Sequence, residues 1–258
     1  MNVGRLAGHV ALVTGGGQGL GRAIAQELGR DGASIAILEL NAATGAAVVR
    51  ELRDAGIQAR SYEADVARSG EVDEVVANAI SDFGFVDILV NNAGISRVGS
   101  PTHEVDDALW QASIGVMESG IFYSSRAVAR GLIAAERPGS IIHISSIRGF
   151  SPKAGRIAYS AAKAAAIMMA KVMAAEWGAY GIRVNAVAPG VQKTPMWDAD
   201  VERGVTDEQE FLRLIPLRRL GDPSEVGRLC AFLASAEASY ITGSVITIDG
   251  GLTTVPSG

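Results

Sequence analysis

Short apolar, β-branched runs recur along the chain: HVALV at 9–13, SIAIL at 34–38, VDILV at 86–90, SIIHIS at 140–145, RVNAV at 183–187 and SVITI at 244–248. A weaker run, QARSYEA, lies at 58–64. Most of them lack strict apolar–polar alternation, which is the mark of strands covered on both faces, as in a parallel sheet. Stretches of helical character separate them at 20–31, 42–55, 70–83, 157–178 and 223–235. Residues 113–122, SIGVMESGIF, read as one more half-buried helix, with Met117 as ordinary packing. Strand and helix alternating along a whole chain predict a doubly wound α/β fold. With no Pro/Ser-rich linker, low-complexity tract or repeat, one domain is expected over 1–258. The segment 191–221 breaks the rhythm with Pro195, Pro216 and a short amphipathic piece. An interruption of that length predicts a lid.

Composition narrows the classes of function. The 258 residues are 48% hydrophobic and 20% charged, a globular balance. A formal net charge of −5 argues against nucleic-acid or anionic-membrane partners, which favour a basic face. Cys230 is the single cysteine, so neither an internal disulfide nor a cysteine-rich metal site can form. His9, His103 and His143 are scattered and the carboxylates show no ligand spacing, so no metal is expected. No long apolar segment precedes the first glycines, and no uninterrupted apolar stretch is long enough for a bilayer. The expected location is cytoplasmic.

The first chemical signal follows the first run: Thr14-Gly15-Gly16-Gly17-Gln18-Gly19-Leu20-Gly21, then a helix. Glycines at a strand-to-helix turn let backbone approach a pyrophosphate, whose charge meets the helix N-terminus. The spacing is GxxxGxG rather than the commoner GxGxxG. A glycine-rich turn without a ligand is the competing reading of this stretch alone. Glu39 ends the second run, 18 residues beyond Gly21, where a carboxylate can accept hydrogen bonds from an adenosine ribose. That carboxylate would repel a 2′-phosphate, and Gln18 brings no positive charge to hold one, so NAD is expected over NADP.

The second signal is Ser145-Ser146 followed by Tyr159-Ser160-Ala161-Ala162-Lys163. Four residues apart on a helix, Tyr159 and Lys163 share a face. A phenol of pKa about 10 is a poor base at neutral pH, and a nearby ammonium favours the phenolate. Such a pair can move a proton at a substrate oxygen while a hydride moves at carbon.

Taken together, TGGGQGLG, Asp65-Val66, Asn91-Asn92-Ala93-Gly94, Ser146, YSAAK, Pro189-Gly190 and ITGSVITIDGG resemble the classical short-chain dehydrogenase/reductase family, in order over residues 6–251. The resemblance implies a Rossmann-type domain, a seven-stranded parallel sheet flanked by helices, and a homotetramer. It implies that Gly15, Gly19 and Gly21 line the pyrophosphate, with Gln18 and Leu20 in the same turn. Glu39, with Leu40 beside it, would hold the adenosine ribose; Asp65 and Val66 would border the adenine. Asn91, Ala93 and Gly94 would support the cofactor along the fourth strand, and Pro189, Gly190, Val191 and Thr194 would seat the nicotinamide amide. Tyr159 would be the general acid/base, Lys163 would bind the nicotinamide ribose and lower the tyrosine pKa, and Ser146 would orient the substrate oxygen. Aligning Trp110, Gly120 and Phe122 puts Met117 where the family carries a catalytic asparagine, which shapes a helix distortion and holds a relay water.

Substrate choice is expected in the loops 95–103, 147–158 and 191–204. Arg97, Arg148, Lys153, Arg156 and Lys193 are basic in an acidic protein, and Phe150 and Trp197 are candidate apolar walls. One reading is solvated loop charge; the other is an arginine paired with a substrate carboxylate, phosphate or sulfonate, Arg148 first. The expected activity is NAD-dependent interconversion of a secondary alcohol and a ketone on a small sugar, polyol or hydroxy acid. A catalytically weak NAD-binding regulator or scaffold is the alternative, opposed by the intact Ser146, Tyr159 and Lys163. A dehydratase or epimerase of the extended branch would need a longer chain and another glycine spacing.

Overall fold

The computed structural model describes residues 4–95, 100–202, 204 and 206–254, with 196 and 200 by backbone alone. Its strands are β1 (Val10–Thr14), β2 (Ser34–Glu39), β3 (Ala59–Glu63), β4 (Ile88–Asn91), β5 (Gly139–Ile144), β6 (Ile182–Pro189) and β7 (Val245–Ile248). They form one seven-stranded parallel sheet in the order β3-β2-β1-β4-β5-β6-β7. All seven apolar runs are strands. β1 is buried along its whole length, as its unalternating sequence requires for a strand covered on both faces.

The helices are α1 (Gly19–Arg30), α2 (Ala42–Asp54), α3 (Ser69–Phe83), α4 (Asp107–Ile114), α5 (Gly120–Ala134), α6 (Ile157–Trp177), α7 (Pro195–Glu202), α8 (Glu208–Leu214) and α9 (Pro223–Ala234). The sheet divides the apolar core in two, one side centred on α1, α2 and α9 and the other on α3, α5 and α6. The order of the strands reverses at β1 and β4, and in open α/β sheets the crevice at the carboxyl ends of such strands is where ligands bind. Helix α1 is held there by α9, whose Gly227 packs so closely against α1 that a Cβ would stand 2.7 Å from Glu27 Cγ. Asp222 and Glu225 close a capping box at the start of α9, with Pro223 in its first turn.

Residues 113–122 are not one regular helix. A π-helical turn, Gly115–Ser119, joins α4 to α5, and Met117 at its centre is fully buried. Helix α6, extended through its last turn to Tyr180, is long and apolar enough on average to cross a membrane. It buries Ala158, Ala162, Ala166, Ala170 and Ala174, a stripe at four-residue spacing laid against the sheet, and it carries Lys163, Lys171 and Glu176 along the same length. The segment beyond β6 leaves and returns at one pinned base. Gln192 bridges Gly221, the Lys193 N–H donates to the Gly221 carbonyl at 2.9 Å, and the Gly221 N–H donates to the Val191 carbonyl at 3.0 Å.

Candidate active site

A cavity of about 690 Å³ opens at the carboxyl ends of the strands. Its first wall is the turn after β1. Gly15 has φ +63° and Gly19 φ +51°, the left-handed region that favours glycine. A Cβ at Gly15 would stand 2.8 Å from Ala93 Cα, one at Gly21 would strike the Gly15 carbonyl, and one at Gly19 would project into open space. The turn is buttressed from β4: the Asn92 side chain donates to the Thr14 and Gly15 carbonyls, both at 3.1 Å, while Thr14 Oγ1 accepts the N–H groups of Asn92 and Ala93. Glu39 closes this end. Its Oε2 accepts the Gly17 N–H at 2.9 Å and its Oε1 the Asn41 N–H at 3.2 Å, so the carboxylate is fixed by backbone donors. Leu40, Asp65 and Val66 complete the wall, and Asp65 Oδ1 accepts the Ala67 N–H at 2.9 Å.

The opposite wall comes from β5, β6 and α6. Ser146, two residues beyond β5, caps a 3₁₀ turn over Ile147–Gly149, its Oγ accepting the Arg148 N–H at 3.2 Å. Its hydroxyl is hydrogen-bonded to that of Tyr159, which lowers the phenol pKa. Burial acts more strongly and leaves that pKa above its ordinary value, with Arg156 and Arg148 adding further downward pull. Lys163 is buried, with Nζ 5.7 Å from the centre of the Tyr159 ring and donating to the Ile144 carbonyl at 2.7 Å. Burial pushes its pKa down to about 8. Ser145 Oγ donates to the Lys163 carbonyl at 2.7 Å, which ties the start of α6 to the end of β5. Pro189, Gly190, Val191 and Thr194 line the cavity beyond β6, where a Cβ on Gly190 would come 2.7 Å from Asp249 Cα.

Asn91 does not reach the cavity. It is buried and its Nδ2 donates to Ser125 Oγ at 2.9 Å, with His143 Nε2 3.2 Å beyond; the neighbouring Asn92 faces the glycine turn instead. Side chains alternate along a strand, so of two adjacent asparagines only one can face the turn. Phe150 also stays outside the lining, about half exposed, because the turn after Ser146 carries it outward. That turn sits tightly on α6: a Cβ on Gly149 would stand 2.8 Å from the Lys163 carbonyl.

The five basic candidates separate. Arg148, Lys153 and Arg156 line the cavity beside Tyr159. Lys193 is paired with Asp198 at 2.8 Å and Glu208 at 3.3 Å. Arg97 lies outside the described residues. Trp197 lines the cavity with Phe211, their rings edge to face at 5.2 Å, and the Trp197 indole N–H donates to Glu208 at 3.0 Å. Phe211, Asn92 and Ile95 are lining residues that motif spacing did not single out. The doubled asparagine was the signal for Asn92; nothing local marks Phe211, which arrives through the return of the 191–221 segment. Among the described residues no group of three or more His, Cys, Asp or Glu could hold a metal ion.

Residues 15–253 match the family model described as enoyl-(acyl carrier protein) reductase. The chain is 40% identical over 247 residues to a 2,5-dichloro-2,5-cyclohexadiene-1,4-diol dehydrogenase of Sphingobium indicum, covering 96% of this chain and 97% of that one. It is 35% identical over 260 residues to the 2,3-dihydro-2,3-dihydroxybenzoate dehydrogenase of Bacillus subtilis, covering 98% and 99%. The crystal structure of a gluconate 5-dehydrogenase from Burkholderia cenocepacia, in complex with NADP and tartrate, superposes with a TM-score of 0.91 at 35% identity, covering 98% of each chain.

Proposed function

From a chain that belongs to the short-chain dehydrogenase/reductase family, whose members bind a nicotinamide cofactor, we propose an NAD-dependent dehydrogenase that interconverts a secondary alcohol and a ketone on a small hydroxylated substrate. The observation that carries this reading is the convergence of Ser146, Tyr159 and Lys163 on one cavity with the glycine turn. The relatives named for a cyclohexadienediol, a dihydrodiol acid and gluconate support a hydroxylated substrate.

The cavity fits the cofactor. A turn too tight for Cβ atoms at Gly15 and Gly21, open space where a Cβ on Gly19 would project, left-handed turns at Gly15 and Gly19, and a carboxylate fixed at the end of β2 are what a dinucleotide needs. In this reading Gly15, Gln18, Gly19, Leu20 and Gly21 hold the pyrophosphate, and Glu39 and Leu40 the adenosine ribose. Asp65 and Val66 border the adenine, and Ala93 and Gly94 support the dinucleotide along the end of β4. Pro189, Gly190, Val191 and Thr194 seat the nicotinamide end. Glu39 supports NAD, since its negative charge opposes a 2′-phosphate. The neighbouring structure that holds NADP makes this the point to test. When bound, the nicotinamide takes up or supplies the hydride.

The protein's own part is proton transfer and orientation. In alcohol oxidation Tyr159 Oη takes the hydroxyl proton, and Ser146 Oγ holds the same substrate oxygen. The Lys163 ammonium favours the phenolate through space. Asn91 has a supporting role only, beneath the turn through Ser125. The excursion 191–221 serves as a lid that carries Trp197 and Phe211 onto the substrate. The reading also includes a single catalytic domain in each chain and a homotetramer of chains, with the exposed apolar side chains Phe122, Met168 and Val172 on α5 and α6 as surface to be covered. The test is reduction of NAD and of NADP by a panel of cyclic and open-chain secondary alcohols. Reduction of NAD in preference to NADP is expected; a protein that binds NAD and reduces it with no alcohol would be a regulator instead.

A further inference from the structure

Arg148, Lys153 and Arg156 come from one short stretch, the turn after β5 and the approach to α6, and all three line the cavity beside Tyr159. Several other cations among the described residues find carboxylates, Arg5 with Asp31, Arg22 with Glu51, Lys193 with Asp198 and Arg219 with Glu225, while Arg53, Arg183 and Arg218 donate to carbonyl oxygens. Among the described residues no carboxylate forms an ion pair with Arg148 or Lys153. Arg148 Nη1 donates to the Ser151 carbonyl at 3.4 Å, and Lys153 Nζ stands 5.2 Å from the centre of the Phe211 ring. Burial, then the field of neighbouring cations, pushes the pKa of both groups down, which is the signature of like charges crowded in a partly dry corner; Glu210 is the carboxylate whose field opposes this at Lys153.

The acidic side chains of the cavity lining, Glu39 and Asp65, belong to the other end. In a chain of net charge −5, a cationic corner at the reacting end is a cost that an incoming anion relieves. Facing it, Trp197 and Phe211 form an apolar edge-to-face wall. The corner and the wall meet at Lys153 over Phe211, so the segment that carries the wall also completes the cationic site.

We propose that the substrate is an acid: a secondary alcohol whose carbon skeleton lies against Trp197 and Phe211 and whose anionic group, a carboxylate or phosphate ester, is held by Arg148, Lys153 and Arg156. This rests on the dehydrogenase reading and names its substrate class. The guanidinium forks supply directional donors to such an anion and Lys153 a mobile point charge.

Calorimetry on the NAD-loaded protein with cyclohexanecarboxylate, cyclohexyl phosphate and the neutral cyclohexanecarboxamide tests it without requiring turnover. At least one anion binds about tenfold or more tightly than the amide, and the carboxylate and phosphate arms tell which. The advantage falls to about twofold or less in Lys153→Gln combined with Arg156→Gln, a variant of loop positions whose unfolding midpoint verifies its fold. Equal binding of anions and amide, no measurable anion binding, or an advantage untouched by the substitutions would each overturn the proposal. Turnover of cis-4-hydroxycyclohexanecarboxylate against its carboxamide separates the two levels. Equal turnover overturns the acid and leaves the dehydrogenase. Anion binding with no NADH from any alcohol leaves the acid site and overturns the dehydrogenase.

Discussion

Where the cavity meets β1 and β2, its walls are backbone: two glycines in left-handed turns, a third that leaves no room for a Cβ, and a carboxylate tied to two N–H groups. Where it meets α6 and the 191–221 segment, its walls are side chains: a buried lysine, a tyrosine on a serine, three cations and two aromatic rings. The first arrangement recognises what every dinucleotide shares and admits few substitutions. The second can be altered one side chain at a time without moving a strand, which is how one fold comes to serve many substrates. Changes at the two ends should therefore separate cleanly, the first in cofactor binding and the second in turnover.

The largest separation is expected from Tyr159→Phe. Removing the hydroxyl takes away the proposed proton acceptor and the partner of Ser146, so turnover is expected to fall by about a thousandfold. Binding of NAD, measured by calorimetry, should stay within about twofold, because the ring still packs and the pyrophosphate cradle is untouched. Full activity in this variant would remove Tyr159 from the mechanism.

Glu39→Ser addresses the other end. Loss of the carboxylate removes the proposed acceptor for the ribose and the charge that would oppose a 2′-phosphate. The ratio of kcat/KM for NAD to that for NADP should drop about tenfold to a hundredfold, with kcat itself little changed. A ratio that does not move would place cofactor choice outside Glu39.

The contrast between the two ends also governs what the sequence makes legible. The glycine turn, Glu39 and the seven strands are local patterns, since a strand buried on both faces and a turn needing positive φ constrain residue type where they stand. The Tyr159–Lys163 pair is legible because four residues on a helix fix a common face. The side-chain end is not local. Asn91 is adjacent to the lining residue Asn92 and Phe150 two residues from the lining residue Arg148, yet both point away from the cavity, one by strand alternation and one by the sense of a turn. Lys153 and Phe211 belong together only after the chain between them has passed through α6, β6 and α7 into α8, inside the segment whose base is pinned at Gln192 and Gly221. Spacing in sequence carries no information about that meeting.

Met117 lies between the two kinds of wall, and the smallest effect is expected there. The resemblance places it where an asparagine would shape a helix distortion, yet the π-helical turn Gly115–Ser119 forms around the methionine. The distortion therefore does not require the amide. Gly120, which begins α5, leaves room for Val66 at 3.1 Å from where a Cβ would be, and this close approach belongs to the same turn. Met117 fills the space beside Gly94, its Sδ 3.6 Å from the position of a Cβ there, and the π-turn packs against α6, which carries Lys163. What the thioether leaves out is an amide on the turn that packs against α6, the helix whose buried Lys163 has its pKa pushed down to about 8. Met117→Asn brings back an amide and room for water, which favours the charged form of Lys163 and so raises its pKa. The limb of the pH–turnover profile governed by Lys163 should move to higher pH by about half a unit to one unit. NAD affinity should remain within about twofold, since Met117 is absent from the cavity lining. A superimposable pH profile in the asparagine variant would make Met117 packing alone, and the lysine's low pKa a property of α6 and β5 without the π-turn.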